Sequence, residues 1–266
     1  MKIDVVVPIY NAFDVLQDCL ESLEKHQSEI SQVILINDAS TDVRIKPYIE
    51  LLSSKNNWKF INQKENKGFV KTANLGLKLS KNHTVLLNSD TIVNAPWILS
   101  FKQALTKNLT LGTATPWSNN AEICSFPIFL MNQKPVKDIE QFAKNIYKNH
   151  QPQYPTIPTA VGFCMLVSKK AKDLVGYFDE DHFGHGYGEE NDYSMRVIEA
   201  GLKNILCDNA YVVHIGNQSF GEFGLQPNEE TMQRLLVKHP EYLTIIQDYI
   251  KIDPFTILRK KILSVC

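Results

Sequence analysis

Carboxylates and amides recur in this sequence where short apolar runs stop. The run 3–8 leads into Ile9-Tyr10-Asn11, the run 33–36 into Asn37-Asp38-Ala39-Ser40-Thr41-Asp42, and the run 85–87 into Asn88-Ser89-Asp90-Thr91. A single Asp at a strand end usually serves a turn or caps a helix. Several polar endings on one sheet edge admit a second reading. Together they can hold a ribose, a base amide and a divalent metal, because Mg²⁺ and Mn²⁺ favour carboxylates and bridge phosphate oxygens.

A second constellation is Gly184-His185-Gly186-Tyr187-Gly188-Glu189-Glu190-Asn191-Asp192. Acids in a first helical turn complement the helix dipole, and Asp192 with Arg196 has the spacing of an i,i+4 ion pair. Glu189 and Glu190 beside the glycines also suit a general base, since a Glu among carboxylates has a raised pKa. His214 follows the apolar run 211–213 and precedes Gly216, Ser219 and Phe220. It reads either as a hydrogen-bonded structural histidine or as a nitrogen ligand. Trp117-Ser118-Asn119-Asn120 is a polar turn or part of an acceptor pocket, since Trp stacks on apolar sugar faces. Asn66-Lys67-Gly68 is a turn by composition, with glycine supplying a positive φ. His182 and His185 lack cysteine partners or a helical H-E-x-x-H and read as loop histidines.

These residues must be carried by an α/β framework. Apolar runs at 3–8, 33–36, 58–61 and 85–87 alternate with helical patterns at 15–23, 45–52, 69–79 and 97–105. Such alternation indicates a mostly parallel sheet covered on both faces, which gathers ligands at the carboxyl ends of its strands. Residues 116–158 read as a loop-rich excursion with a helix near 139–147. Beyond it come a strand at 160–167, a helix at 189–200, short strands at 205–207 and 211–214, and helical patterns at 229–250 and 255–265.

In that order the chain resembles glycosyltransferase family 2, whose nucleotide-sugar-binding fold is called GT-A, over roughly residues 1–220. The family's opening P-x-Y-N is similar to Pro8-Ile9-Tyr10-Asn11, and its second-strand aspartate to Asp38-Ala39-Ser40-Thr41-Asp42. Its N-x-G and following helical Asn are similar to Asn66-Lys67-Gly68 and Asn74. Its D-x-D motif corresponds to Asn88-Ser89-Asp90, with Asn in the first position. The resemblance implies a GT-A domain over 1–225, with a nucleotide-binding half at 1–115 and an acceptor and catalytic half at 116–225. A helical extension would occupy 226–266. It implies donor binding by Pro8, Tyr10, Asn11, Asp38, Asn66, Gly68, Asn74, Asn88 and Ser89, and a sugar or acceptor pocket at Trp117 and Gly188. Asp90 and His214 would hold Mn²⁺ or Mg²⁺. Glu190 aligns with the base of an inverting transfer, with Glu189 and Asp192 as the alternatives. The partners implied are a nucleotide-sugar donor and a glycan or lipid-linked glycan acceptor, in cell-surface polysaccharide synthesis.

Composition narrows the alternatives. With 28 basic and 29 acidic residues, the chain has no bulk charge for nucleic acid. Five scattered cysteines without a CxxC pair speak against a zinc cluster or disulfide framework and suit a reducing compartment. The start is not a signal peptide in pattern and no run reaches a membrane span, so a cytoplasmic protein is expected. The segment 255–265 sets Arg259, Lys260 and Lys261 between apolar residues. It reads as a packed helix or as a peripheral contact with anionic lipid. Neither the P-loop pattern nor G-x-G-x-x-G occurs. A sugar nucleotidyltransferase would carry a Gly-rich basic loop where Tyr10-Asn11-Ala12-Phe13 stands, and a non-catalytic binding module would not need the acids.

Overall fold

Mostly apolar strands need cover on both faces, and here helices supply it. In the computed structural model, which describes residues 1–184, 186–216 and 229–265, the elements are β1 (Ile3–Ile9), α1 (Phe13–Lys25), β2 (Gln32–Asn37), α2 (Ile45–Asn56), β3 (Lys59–Asn62), α3 (Phe69–Leu79), β4 (His83–Leu87), β5 (Thr91–Ile92), α4 (Trp97–Lys107), β6 (Leu111–Trp117), α5 (Ile139–Asn149), β7 (Cys164–Val167), α6 (Lys169–Val175), α7 (Glu180–Phe183), α8 (Glu189–Glu199), β8 (Lys203–Tyr211), β9 (Val213–His214), α9 (Glu229–Lys238), α10 (Tyr242–Ile252) and α11 (Thr256–Leu263). His185, Ser219, Phe220 and the expected boundary at 225/226 lie outside the described residues.

Seven strands form one sheet in the order β3-β2-β1-β4-β7-β6-β8, and β5 and β9 form a separate antiparallel ribbon. β1 pairs in parallel with β2 and β4, and β7 is the strand that runs against its neighbours β4 and β6. Alternation along each strand divides the core. Val5 and Val7 pack with α1, α2 and α4, while Val6 packs on the other face with α3, α6 and α8.

Three of the differences from the sequence pattern have a plain physical reason. β6 crosses the middle of a segment expected to turn irregular at 116, and the boundary drawn at 115/116 falls inside it. Its Thr113 and Thr115 are buried, and each finds a partner: Thr113 Oγ1 donates to Asn204 Oδ1 at 2.7 Å, and Thr115 Oγ1 accepts from Val161 N at 3.0 Å. The helical pattern at 229–250 is two helices, because Pro240 cannot continue α9. Finally, Phe255, Leu258 and Ile262 belong to the main core, so the last helix is packed into the domain. Arg259 is buried there, paired with Asp253 and set over Phe129, so it does not join Lys260 and Lys261 on the surface.

Candidate active site

The site is assembled where β4 ends. Asn88, Ser89 and Asp90 continue from β4 and lead directly into β5, whose Thr91 pairs with His214 of β9. One bond further, Ile215 N donates to the Asp90 carbonyl at 2.9 Å. The ribbon therefore fixes Asp90 and His214 side by side, with Oδ1 and Nε2 3.5 Å apart. On its other face the imidazole stacks on Phe163, 5.1 Å between centroids at 22°. Phe163 is itself tied to the β4 end, since its carbonyl accepts from Asn88 N at 2.8 Å. Burial opposes charging His214, but Asp90 outweighs it and holds the imidazole pKa above its ordinary value. A carboxylate oxygen beside an imidazole nitrogen suits Mn²⁺ or Mg²⁺. Glu199, His239 and Glu241 also lie close enough to hold an ion, but both His239 nitrogens already face carboxylates, of Asp192 and Glu199.

The residue before Phe163 faces the acids. A Cβ at Gly162 would lie 4.0 Å from Cγ of Glu190, and Ser194 Oγ ties the two segments by accepting from Ala160 N and donating to the Glu190 carbonyl. Gly188 starts α8 at φ 93°, so Glu189 and Glu190 occupy its first turn. Each has a buried Oε2 without a hydrogen-bond partner. Burial pushes both pKa values up. Glu189 stands well above the carboxylate range, while Glu190, also faced by Glu122, rises to about 7. A protonated Glu189 donating to Glu190 accounts for that split.

Asp192 behaves differently. It is fully buried and bonded to Arg196 Nε at 2.8 Å, Lys238 Nζ at 2.5 Å and His239 Nε2 at 3.1 Å. Despite burial these cations hold its pKa down. The i,i+4 pair with Arg196 stands, and Asp192 is withdrawn as a base because its oxygens fasten α8 to α9.

The expected donor residues cluster at the ends of β1, β2 and β3, and most are already engaged. Asp38 accepts from Gln63 Nε2 and Lys67 N at 2.7 Å and from Gly68 N at 2.9 Å. Its pKa is nonetheless raised by burial. Asn11 Oδ1 accepts from Thr41 N and Asp42 N, locking the β1 and β2 loops together. Asn66 Oδ1 accepts from Gly68 N at 2.9 Å, the turn its composition suggests. Gly68 is required to be glycine, with φ 81° and its missing Cβ only 3.0 Å from the Gly184 carbonyl, which brings this loop against the acid loop. Tyr10 is half-buried after β1, Pro8 is buried inside it, and Ser89 is buried beside Asp90.

Two expected pocket residues are corrected. Asn74 is buried and saturated, its amide bonded to Phe178 N, the Phe178 carbonyl and Glu180 Oε1. Trp117 is fully buried between Phe126 and Phe255 and offers no face to a sugar. A sequence made of apolar and small residues around a Trp fits a core as well as a pocket.

Glu122 is a neighbour of the candidate site that the sequence pattern missed. Its neighbours Ala121, Ile123 and Cys124 are buried, while Glu122 itself is exposed at φ 45°. It is hemmed in enough that burial raises its pKa, and its charge acts on both Glu190 and His214. A left-handed non-glycine at such a place is the kind of strain functional sites hold. The signal lay in Trp117-Ser118-Asn119-Asn120, read one turn too early.

Among known families, the one described as Glycosyl transferase family 2 matches residues 4–175. The poly-beta-1,6-N-acetyl-D-glucosamine synthase of Staphylococcus aureus is 29% identical over 186 residues, 67% of this chain and 42% of that protein. Across the first curated relatives the match spans 33% to 42% of their length. Among solved structures, residues 1–349 of S. aureus TarS in complex with UDP-GlcNAc superpose with a TM-score of 0.63 at 19% identity, covering 90% of this chain and 66% of that one. GalNAc-T7 with UDP, GalNAc and Mn²⁺ superposes at 0.68 with 16% identity, covering 94% and 49%. These likenesses show the same fold.

Proposed function

The chain belongs to glycosyltransferase family 2, and we propose that it moves a sugar from a nucleoside diphosphate donor to a glycan or lipid-linked glycan acceptor with inversion at the anomeric carbon. The observation that carries this reading is the pairing of two unlike sites across Gly162-Phe163. On one side Glu190 keeps an unpaired oxygen and a pKa of about 7, and on the other Asp90 and His214 stand together.

A base near neutrality is what in-line attack by a hydroxyl requires, since it must lose its proton as it attacks. Glu190 Oε2 would take that proton. Glu189, kept neutral by burial, would hold Glu190 in place through the proton it retains. Glu122 faces the same space and would accept a hydrogen bond from a sugar hydroxyl. A divalent cation, Mn²⁺ or Mg²⁺, held by Asp90 and His214 would neutralise the departing diphosphate. Asp38 and Asn11 would shape the nucleoside pocket by fixing its loops, with Tyr10 and Asn88 beside them at the ends of β1 and β4.

The synthase relative supports a role in surface polysaccharide assembly, and TarS and GalNAc-T7 support a nucleotide-sugar donor with a metal. No helix among the described residues is long and apolar enough to cross a membrane. We place the enzyme in the cytoplasm, touching the membrane at its periphery. Ile257 and Leu263 are exposed on α11 beside Lys260 and Lys261, an arrangement that suits anionic lipid.

The test is a panel of nucleotide sugars with purified protein and Mn²⁺, read by thermal stabilisation and donor hydrolysis. At least one donor should stabilise the fold in a metal-dependent way and be hydrolysed slowly. A panel without metal-dependent stabilisation by any donor would refute the reading.

A further inference from the structure

His214 can serve a cation only if Nε2 is free of its proton and faces Asp90, and imidazole alone does not guarantee either. The loop after β6 sets the direction of the ring and, when the imidazole is neutral, which nitrogen keeps the hydrogen. Asn119 Oδ1 accepts from His214 N at 3.0 Å, and Asn119 Nδ2 donates to the His214 carbonyl at 3.0 Å. One side-chain amide thus grips the backbone of one residue at both ends, as a neighbouring strand would. On the opposite edge the ribbon holds the next residue, where Ile215 N donates to the Asp90 carbonyl at 2.9 Å, with Thr91 in register with His214. Asn119 Nδ2 is itself anchored on the Gln133 carbonyl at 2.9 Å.

The ring is fixed next. Nδ1 lies 2.7 Å from the Asn120 carbonyl, which has no proton to give, so Nδ1 carries the hydrogen. Phe163 stacks on the imidazole plane. The Asn120 side chain occupies the room left by Gly216, where a Cβ would come within 2.2 Å of its Nδ2. A flipped ring would lose the bond to the carbonyl and bring a C–H to it.

We propose that Asn119, acting with the Asn120 carbonyl, is a positioning residue that holds His214 as the Nδ1–H tautomer and presents Nε2 to a divalent cation shared with Asp90. The inference rests on the reading of Asp90 and His214 as the cation site. Outer partners of this kind typically change metal affinity by about 10–100-fold.

Two measurements test it. ¹⁵N shifts of labelled histidines in the wild-type protein, at a pH where imidazole is neutral, should show His214 protonated on Nδ1 and bare on Nε2, with the signal assigned by its loss in His214→Gln. Mn²⁺ binding followed by EPR should weaken about 10–100-fold in Asn119→Ala, and in Asn119→Asp, which keeps the acceptor for His214 N and loses the donor bonds. Melting curves establish which variants are folded, and the wild-type tautomer stands whether or not they are. An Nε2–H tautomer, or folded Asn119 variants that bind Mn²⁺ like wild type, overturns the inference alone. Mn²⁺ affinity unchanged by Asp90→Asn overturns the cation site, and the inference with it.

Discussion

A buried carboxylate, Asp38, stands at the end of β2 and a half-buried one, Glu190, in the first turn of α8, and loss of water raises the pKa of both. Their surroundings then diverge. Asp38 receives three N–H groups, two of them from the backbone of the Asn66–Gly68 turn, so its charge is used to hold a loop. Glu190 keeps an oxygen that bonds to nothing. Two residues further along the same helix, Asp192 is fully buried and is bonded to two cations, Arg196 and Lys238, and to the His239 imidazole. On the proposed reading, burial alone does not mark the base; an unpaired oxygen narrows the choice to Glu189 and Glu190, and the pKa near 7 favours Glu190. The β2 edge is cross-linked by hydrogen bonds, and the α8 edge leaves polar capacity unused.

Removing the unpaired oxygen should have the largest effect. Glu190→Gln should lower kcat by about 10²–10⁴-fold while donor binding, measured by calorimetry, stays within a few-fold of wild type. Retained turnover would erase the distinction between the two edges. Asp192→Asn should instead act on stability, by about 3–5 kcal/mol in denaturant melts, because it leaves Lys238 and Arg196 facing a neutral group. A folded Asp192→Asn protein with normal stability would show that α8 is held by packing alone.

Asp38→Asn should cost less, about 1–3 kcal/mol, since an amide can serve only part of the set of three donors. Donor affinity should fall with it as the 66–68 turn loosens. The remaining expected effect is a gain, confined to high pH. The folded pKa of Glu190 lies near 7 against an ordinary 4.5, so the folded state binds the proton more tightly and wild-type stability falls as pH rises from about 4.5 to 7. Glu190→Gln should remove that loss, stabilising the protein by about 3 kcal/mol at pH 8 and by almost nothing at pH 4. The acid limb of kcat should sit near pH 7 for the same reason, with activity rising as pH rises.

How much of this was legible in the sequence follows the range of the interactions. β1, β2 and β4 are continuous apolar runs, and the polar residues that end them could be read directly. β6 was hidden because Gly112, Thr113, Thr115 and Pro116 interrupt any apolar pattern, and the partners that satisfy its threonines lie 46 and 91 residues away. The Asp192–Arg196 pair was visible because it is one helical turn long. Its bonds to Lys238 and His239, which exclude it as a base, were not. Trp117 misled for the converse reason: an aromatic beside polar residues has the composition of a pocket, and only the packing of Phe126 and Phe255 shows it to be core. Asn119 reads as a turn residue until His214, 95 positions on, arrives against it.

The stereochemistry of the reaction tests the central claim most directly. With Mn²⁺ and a donor that the panel identifies, ¹H NMR can record the anomeric proton of the sugar released in the first turnovers, before mutarotation mixes the forms. A single base at Glu190 acting in line predicts a product of configuration opposite to the donor, and no such product from Glu190→Gln. Release with the donor's own configuration would contradict the account.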